Sequence, residues 1–246
     1  NYLNRLNSNY DAAIVTNPQL AERFAGFGLE NIQIAPFGVE RSKFSASFRD
    51  TTARREMLAT CGLGADAALL IAVGRHHPEK RLRTIIQAVS KAQKERKIGL
   101  YIAGDGFLRA SVERWALNAR NVYVAGQIND SEQLATVMAS ADALIHGSAA
   151  ETFGLVLAEA LCSGTPLIVP DAGASATFAG PGYAETYRAG DAADGAAAIL
   201  RLLEGDRAAQ SQAAAAAADT QVFTVEQHFE KLFAIYERIV ADRSTR

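Results

Sequence analysis

The 246 residues carry 49% hydrophobic and 21% charged side chains, ordinary for a globular chain long enough for one large or two small domains. A formal net charge of −2 lacks the basic excess with which nucleic-acid binders track phosphates, so no nucleic-acid partner is expected. No apolar run approaches the ~18 residues of a membrane span, and two cysteines, Cys61 and Cys162, make no disulfide framework, which points to a reducing, cytoplasmic setting.

In chain order, apolar runs at 12–16 and 32–35 predict strands, with a helix over 18–27 between them. Residues 36–48 read as a linker loop with a Phe37-Gly38 turn, and a short helix follows at 52–60. The pattern then becomes regular. Strands are predicted at 69–73, 99–103, 121–125, 143–146 and 166–169, alternating with helices at 81–96, 107–118, 131–139 and 154–162. Such alternation implies right-handed crossovers and an α/β fold, a doubly wound, Rossmann-like parallel sheet. Ala-rich helices follow at 194–205 and 206–219, then an amphipathic helix at 224–240 with Thr224 as N-cap and Gln227 at capping-box spacing.

Ligands of such sheets bind beyond the carboxyl ends of the strands. The loops there, 74–80, 104–106, 126–129, 147–152 and 170–175, all contain glycine, which lets backbone approach a ligand or merely ends a strand. Within 74–80, Arg75 and Lys80 bring two cations to a helix start, where positive charge opposes the helix dipole, so a phosphate ligand is one reading and a solvated basic loop the other. Glu151 ends a loop and Gly154 opens a helix whose free amides, with that of Leu155, suit a phosphate. Counted on a helical repeat, Glu159 lies about 80° around and ~12 Å along from Glu151. Two acids so spaced suit a ligand with hydroxyls at both ends of a diphosphate, or a capped surface helix with two solvated acids. Gly104-Asp105-Gly106 is half of a dinucleotide fingerprint without its third glycine. His76, His77, His146 and His228 lack metal-ligand spacing, and no Gly-x-Ser-x-Gly elbow supports a serine hydrolase.

Together these motifs resemble the retaining glycosyltransferases of the glycogen-synthase-like family 4, which have the GT-B fold. Ala35-Pro36-Phe37-Gly38-Val39-Glu40 with Phe44 is similar to that family's linker, and Val73-Gly74-Arg75 with Lys80 to its Gly-Arg…Lys loop. Ile102-Ala103-Gly104-Asp105-Gly106 and Val122-Tyr123-Val124-Ala125-Gly126 fit its next two strand–loop units. Glu151 and Glu159, followed by Ala160-Leu161-Cys162-Ser163-Gly164-Thr165-Pro166, match its Glu-x7-Glu segment. The likeness runs from about residue 12 to 203.

The resemblance implies roles position by position. Arg75, Lys80 and Glu151 are the expected catalytic residues: the two cations hold the donor diphosphate and stabilise charge on the leaving group, and Glu151 meets the donor sugar. Donor binding is expected from Gly74, Gly104, Thr152 and the amides of Phe153, Gly154 and Leu155, from backbone near Gly126, Gln127 and Ile128 for the base, and from Glu159 for the ribose. No metal or other cofactor is expected. The substrate is a nucleotide-diphosphate sugar, a UDP- or GDP-sugar ahead of an ADP-sugar, and a hexosyl group passes to an unknown saccharide, lipid or other acceptor. Three departures stand out: Phe37 for Asn, His146-Gly147-Ser148 for Pro-Ser, and Arg81 for Gly, none expected to touch the charge-bearing positions.

Length is the larger departure. Residues 1–48 read as the end of an N-terminal acceptor domain with its linker, 49–222 as the donor domain, and 223–246 as a helix crossing back. The chain opens on Asn1 without an initiator Met and reads as trimmed, so a missing N-terminal domain is an expected partner and the chain alone is expected to be inactive in transfer. A cytoplasmic location, with peripheral contact at the inner membrane's cytoplasmic face, fits this reading. The rivals are a nucleotide-sugar epimerase, a phosphorylase lacking a marked pyridoxal-phosphate lysine, and a non-catalytic nucleotide-sugar-binding subunit.

Overall fold

The computed structural model describes residues 2–244. The chain divides into two compact units, one made of the residues up to Glu40 together with those from Val222 on, the other of Arg41–Gln221.

The smaller unit begins with α1 (Tyr2–Asn9), β1 (Ala13–Val15), α2 (Pro18–Gly26), β2 (Ile32–Ile34) and β3 (Gly38–Val39). β1 and β2 pair in parallel, Ala13 opposite Ile32. Asn17 caps α2, its side chain accepting the Leu20 N–H at 2.8 Å, and Pro18 takes the first turn, where a missing N–H costs nothing. The sequence pattern did not reveal α1, whose Asn-rich run has low helix propensity and buries no residue.

The larger unit runs through α3 (Thr51–Thr60), β4 (Ala68–Val73), α4 (Leu82–Ala92), β5 (Ile98–Ala103), α5 (Arg109–Leu117), β6 (Val122–Gly126), α6 (Ser131–Ser140), β7 (Ala143–Ile145), α7 (Leu155–Cys162), β8 (Leu167–Pro170), β9 (Ala184–Tyr187), α8 (Ala192–Glu204) and α9 (Arg207–Gln221). Its six strands form one sheet in the order β6-β5-β4-β7-β8-β9, and every pairing is parallel. The expected doubly wound α/β sheet is present. Leu70, Ala72, Leu100, Ile102, Ala143, Ile145 and Ile168 pack with Leu82, Ile85 and Val89 of α4 and Ile199 and Leu202 of α8. The alternate residues Leu69, Ile71, Leu144 and Leu167 are equally buried, so both faces are covered, as a parallel sheet requires. Each leucine, isoleucine or valine among them contributes about 1.5–3 kcal/mol through burial. β9 was not anticipated, because Ala-Glu-Thr-Tyr at a sheet edge carries no apolar run.

The chain order makes the functional point. From β4 the strands step outward through β5 to β6, then return to the other side of β4 with β7. The order reverses between β4 and β7, which is where doubly wound sheets open a crevice at their carboxyl ends.

Back in the smaller unit, β10 (Phe223–Thr224) pairs with β3, a two-residue contact inside a region read as linker. α10 (Val225–Ser244) opens with the expected capping box. Thr224 Oγ1 accepts the Gln227 N–H at 3.2 Å, and Gln227 Oε1 accepts the Thr224 N–H at 2.9 Å. Among the described residues no helix is long and apolar enough to cross a membrane.

Candidate functional site

Three loops at the carboxyl ends of β4, β5 and β6 stack through backbone hydrogen bonds. Gly74 N–H donates to the Ala103 carbonyl at 3.0 Å and Gly104 N–H to the Gly126 carbonyl at 2.7 Å. Gly104 has φ of +140°, and a Cβ there would collide with the Gly74 carbonyl. Its glycine thus serves loop packing directly and cavity shape only through it. His76 ties the same loops, its N–H donating to Asp105 and its carbonyl accepting from Leu108, both at 2.8 Å. The result is a cavity of about 520 Å³ lined by Gly74, Arg75, Gly104, Asp105, Gln127 and Ile128, among others, within the range of small-molecule sites. Gly126 stands behind this wall, beside the Arg109 guanidinium. Arg109 in turn neutralises Asp105 at 2.6 Å and Glu113 at 2.9 Å, and its guanidinium holds the Asp105 carboxyl below its ordinary range.

A second group of residues gathers where the strand order reverses. Lys80 does not start α4. It ends a short 3-10 turn, Arg81 follows in the left-handed region at φ 46°, and α4 begins at Leu82. That kink turns the Lys80 side chain past Gly74 and inward, where Nζ lies 2.5 Å from Glu151 Oε2. His146, immediately after β7, is buried with Nε2 3.2 Å from the same oxygen. The His146 imidazole first, then Lys80, outweigh burial and hold the Glu151 carboxyl down at about 2. The expectation that His146-Gly147-Ser148 leaves the charged positions untouched is therefore corrected: the imidazole is the foremost influence on Glu151. Gly147 belongs to the same construction, since a Cβ there would meet the Lys80 carbonyl. Arg75, by contrast, is 79% exposed, its guanidinium 3.9 Å from Glu79, and it lines the cavity.

Between Glu151 and α7 the chain bends. Gly154 adopts φ 87°, in the left-handed region, so the helical repeat starts only at Leu155. The reckoning of 80° and ~12 Å between Glu151 and Glu159 fails for that reason: the two acids do not share a helix. Thr152 is exposed, Phe153 meets Phe178 edge-on, and Leu155 is half-exposed at the first turn, whose N–H groups have no partner within the helix. Glu159 sits one turn in, and burial raises its carboxyl above the usual range. Of the candidates, then, Gly74, Arg75, Gly104, Gln127 and Ile128 line one cavity. Lys80 and Glu151 meet at the switch point, and the 152–159 segment leads away along α7. Sequence reasoning missed His146, although a polar residue just past the carboxyl end of an inner strand is a usable signal. Among the described residues no three His, Cys, Asp or Glu side chains cluster so as to hold a metal ion.

Residues 55–219 match the family described as Glycosyl transferases group 1. A GDP-mannose-dependent alpha-(1-6)-phosphatidylinositol dimannoside mannosyltransferase of Mycobacterium tuberculosis is 32% identical over 166 residues, covering 67% of this chain and 42% of that protein. Sucrose-phosphate synthase from Thermosynechococcus elongatus superposes with a TM-score of 0.78 at 25% identity, covering 95% of this chain and 59% of that one. The Anabaena protein HepE, solved with UDP and glucose, gives a TM-score of 0.80 at 19% identity over 96% of this chain and 66% of that one, a likeness of fold. The chain spans less than half the length of the mycobacterial relative. With its parallel sheet that reverses order beside β4, its glycine-walled cavity and a family match over most of its length, this chain belongs to the group 1 glycosyltransferases of GT-B fold.

Proposed function

We propose that the chain supplies the donor side of a retaining hexosyltransferase that uses a nucleotide-diphosphate sugar without a metal or other cofactor. The observation that carries the reading is the meeting of Lys80 and Glu151, 2.5 Å apart at the strand-order reversal, beside a cavity that Arg75 lines. In this reading the base enters between Gln127 and Ile128, and the diphosphate meets Arg75, Lys80 and the free amides at the start of α7. Glu151 accepts from the sugar hydroxyls and Glu159 from the ribose. The cations act where negative charge develops on the leaving diphosphate, the kind of preorganised stabilisation that contributes most to catalysis.

The domain assignment is part of the proposal: 1–48 ends an acceptor domain and its linker, 49–222 binds the donor, and 223–246 crosses back. Support comes from the grouping of the residues up to Glu40 with those from Val222 on, and from relatives more than twice as long as the matched span. An acceptor-binding half is thus the partner, and transfer by this chain alone is slight. GDP-mannose, named for the mycobacterial relative, and UDP, bound in the Anabaena structure, make GDP- and UDP-sugars the first donors to try. A lipid acceptor of the kind the mycobacterial enzyme's name states would draw the protein peripherally to the cytoplasmic side of a membrane.

Thermal unfolding with UDP, GDP, ADP and their sugars tests the reading, because a ligand that binds only the folded chain stabilises it by about 2.7 kcal/mol at a hundredfold excess over Kd. A raised midpoint with a uridine or guanosine ligand is expected. Unchanged midpoints with all of them at millimolar concentration would refute it.

A further inference from the structure

Buried polar nitrogens in folded proteins are nearly always paired, because an unpaired one keeps the cost of leaving water. The His146 ring is 3% exposed, yet its Nε2 makes no aligned hydrogen bond. Its neighbour at 3.2 Å is Glu151 Oε2, and Lys80 Nζ takes that same oxygen at 2.5 Å. One carboxylate oxygen faces two donors, and the ammonium is the nearer. An ionised carboxylate only accepts, so the imidazole nitrogen turned toward it carries the proton.

The two rivals for Glu151 differ in mobility. The backbone at His146 is anchored twice, its N–H donating to the Ile168 carbonyl at 2.8 Å and its carbonyl accepting from Tyr187 Oη at 2.6 Å. Lys80 is a point charge on a flexible stem, and a diphosphate offers it more negative charge than one carboxylate does. Glu151 stands on the bend between β7 and α7 and can turn toward a fixed ring.

Resting on the donor-site reading above, we propose that His146 is a positioning residue: when Lys80 turns to the donor's diphosphate, the imidazole takes over the Glu151 carboxylate and holds it against the donor sugar. The exchange brings the buried nitrogen from a poorly aligned contact into a full hydrogen bond and leaves the other carboxylate lone pairs for sugar hydroxyls. Without His146, Glu151 swings loose from the sugar once Lys80 leaves it for the phosphates.

Calorimetric titration of wild type, His146→Ala and His146→Gln with UDP, GDP, UDP-glucose and GDP-mannose tests this, with circular dichroism as the check on folding. The expected result is a loss of about tenfold for the sugar nucleotide in His146→Ala and about twofold or less for the bare diphosphate, since the contact at stake is one charge-assisted hydrogen bond to the sugar-binding acid. His146→Gln, whose amide nitrogen can replace Nε2, recovers to within about threefold of wild type. If the Ala variant unfolds, His146→Met fills the ring's volume without a donor and takes its place. Equal losses for sugar nucleotide and bare diphosphate, or no recovery in a folded Gln variant, overturn the positioning role while the donor site stands. Wild type that binds none of the four overturns the donor-site reading, and this role with it.

Discussion

Replacing Glu151 with Gln removes a charge that its neighbours hold far from ordinary ionisation. His146 foremost, then Lys80, bring its carboxyl from 4.5 down to about 2 against burial. A depressed folded-state value contributes stability that is complete above the unfolded value near 4.5 and is lost as pH falls through about 2. At ~1.36 kcal/mol per unit, a gap of roughly two to three units is worth about 3 kcal/mol at neutral pH, with little solvent screening because the side chain is only 15% exposed. Urea unfolding followed through Trp115, the chain's single tryptophan, at pH 7, 5 and 3 is the assay. Glu151→Gln should be less stable by about 3 kcal/mol at pH 7, and the deficit should shrink below pH 4.5 as the unfolded wild type takes up a proton that the folded chain does not. A deficit of the same size at pH 7 and pH 3, or none at pH 7, would refute the electrostatic reasoning.

Four further outcomes follow from the geometry. Arg75→Ala, at a 79% exposed position, should leave unfolding within about 0.5 kcal/mol of wild type while weakening UDP or GDP binding about tenfold or more, read by calorimetry. Burial raises the Glu159 carboxyl, so its charge costs stability that is untouched below the unfolded value and lost as pH rises through the folded one. Glu159→Gln should therefore raise the thermal midpoint at pH 7 but not below pH 4, and should weaken nucleotide binding. Gly104→Ala, at φ +140° and against the Gly74 carbonyl, should destabilise by about 2 kcal/mol or more in urea unfolding. Thr224→Ala breaks one half of the capping box and should cost about 1 kcal/mol, seen as reduced helical ellipticity on mild heating.

The inner strands were legible because β4, β5 and β7 are short apolar runs buried on both faces, a pattern that survives without any tertiary information. β3 and β10 are two residues each, too short for periodicity, and β9 hides in a polar edge segment. The Arg75/Lys80 loop announced itself by placing cations against a helix start, though the left-handed Arg81 shows that Lys80 belongs to a turn aimed at Glu151. The Lys80–Glu151–His146 arrangement was not legible, because it depends on strand order and on where Gly147 and Gly154 bend the chain. A helical repeat carried across such a bend gives the wrong spacing for Glu151 and Glu159.

The most direct test of the donor-site reading is a crystal structure of this chain with UDP or GDP. The base should lie between Gln127 and Ile128, and the diphosphate should lie against Arg75, with Lys80 drawn from Glu151 toward it. A nucleotide bound away from the loops that follow β4, β5 and β6, or crystals that take up none at saturating concentration, would contradict the reading.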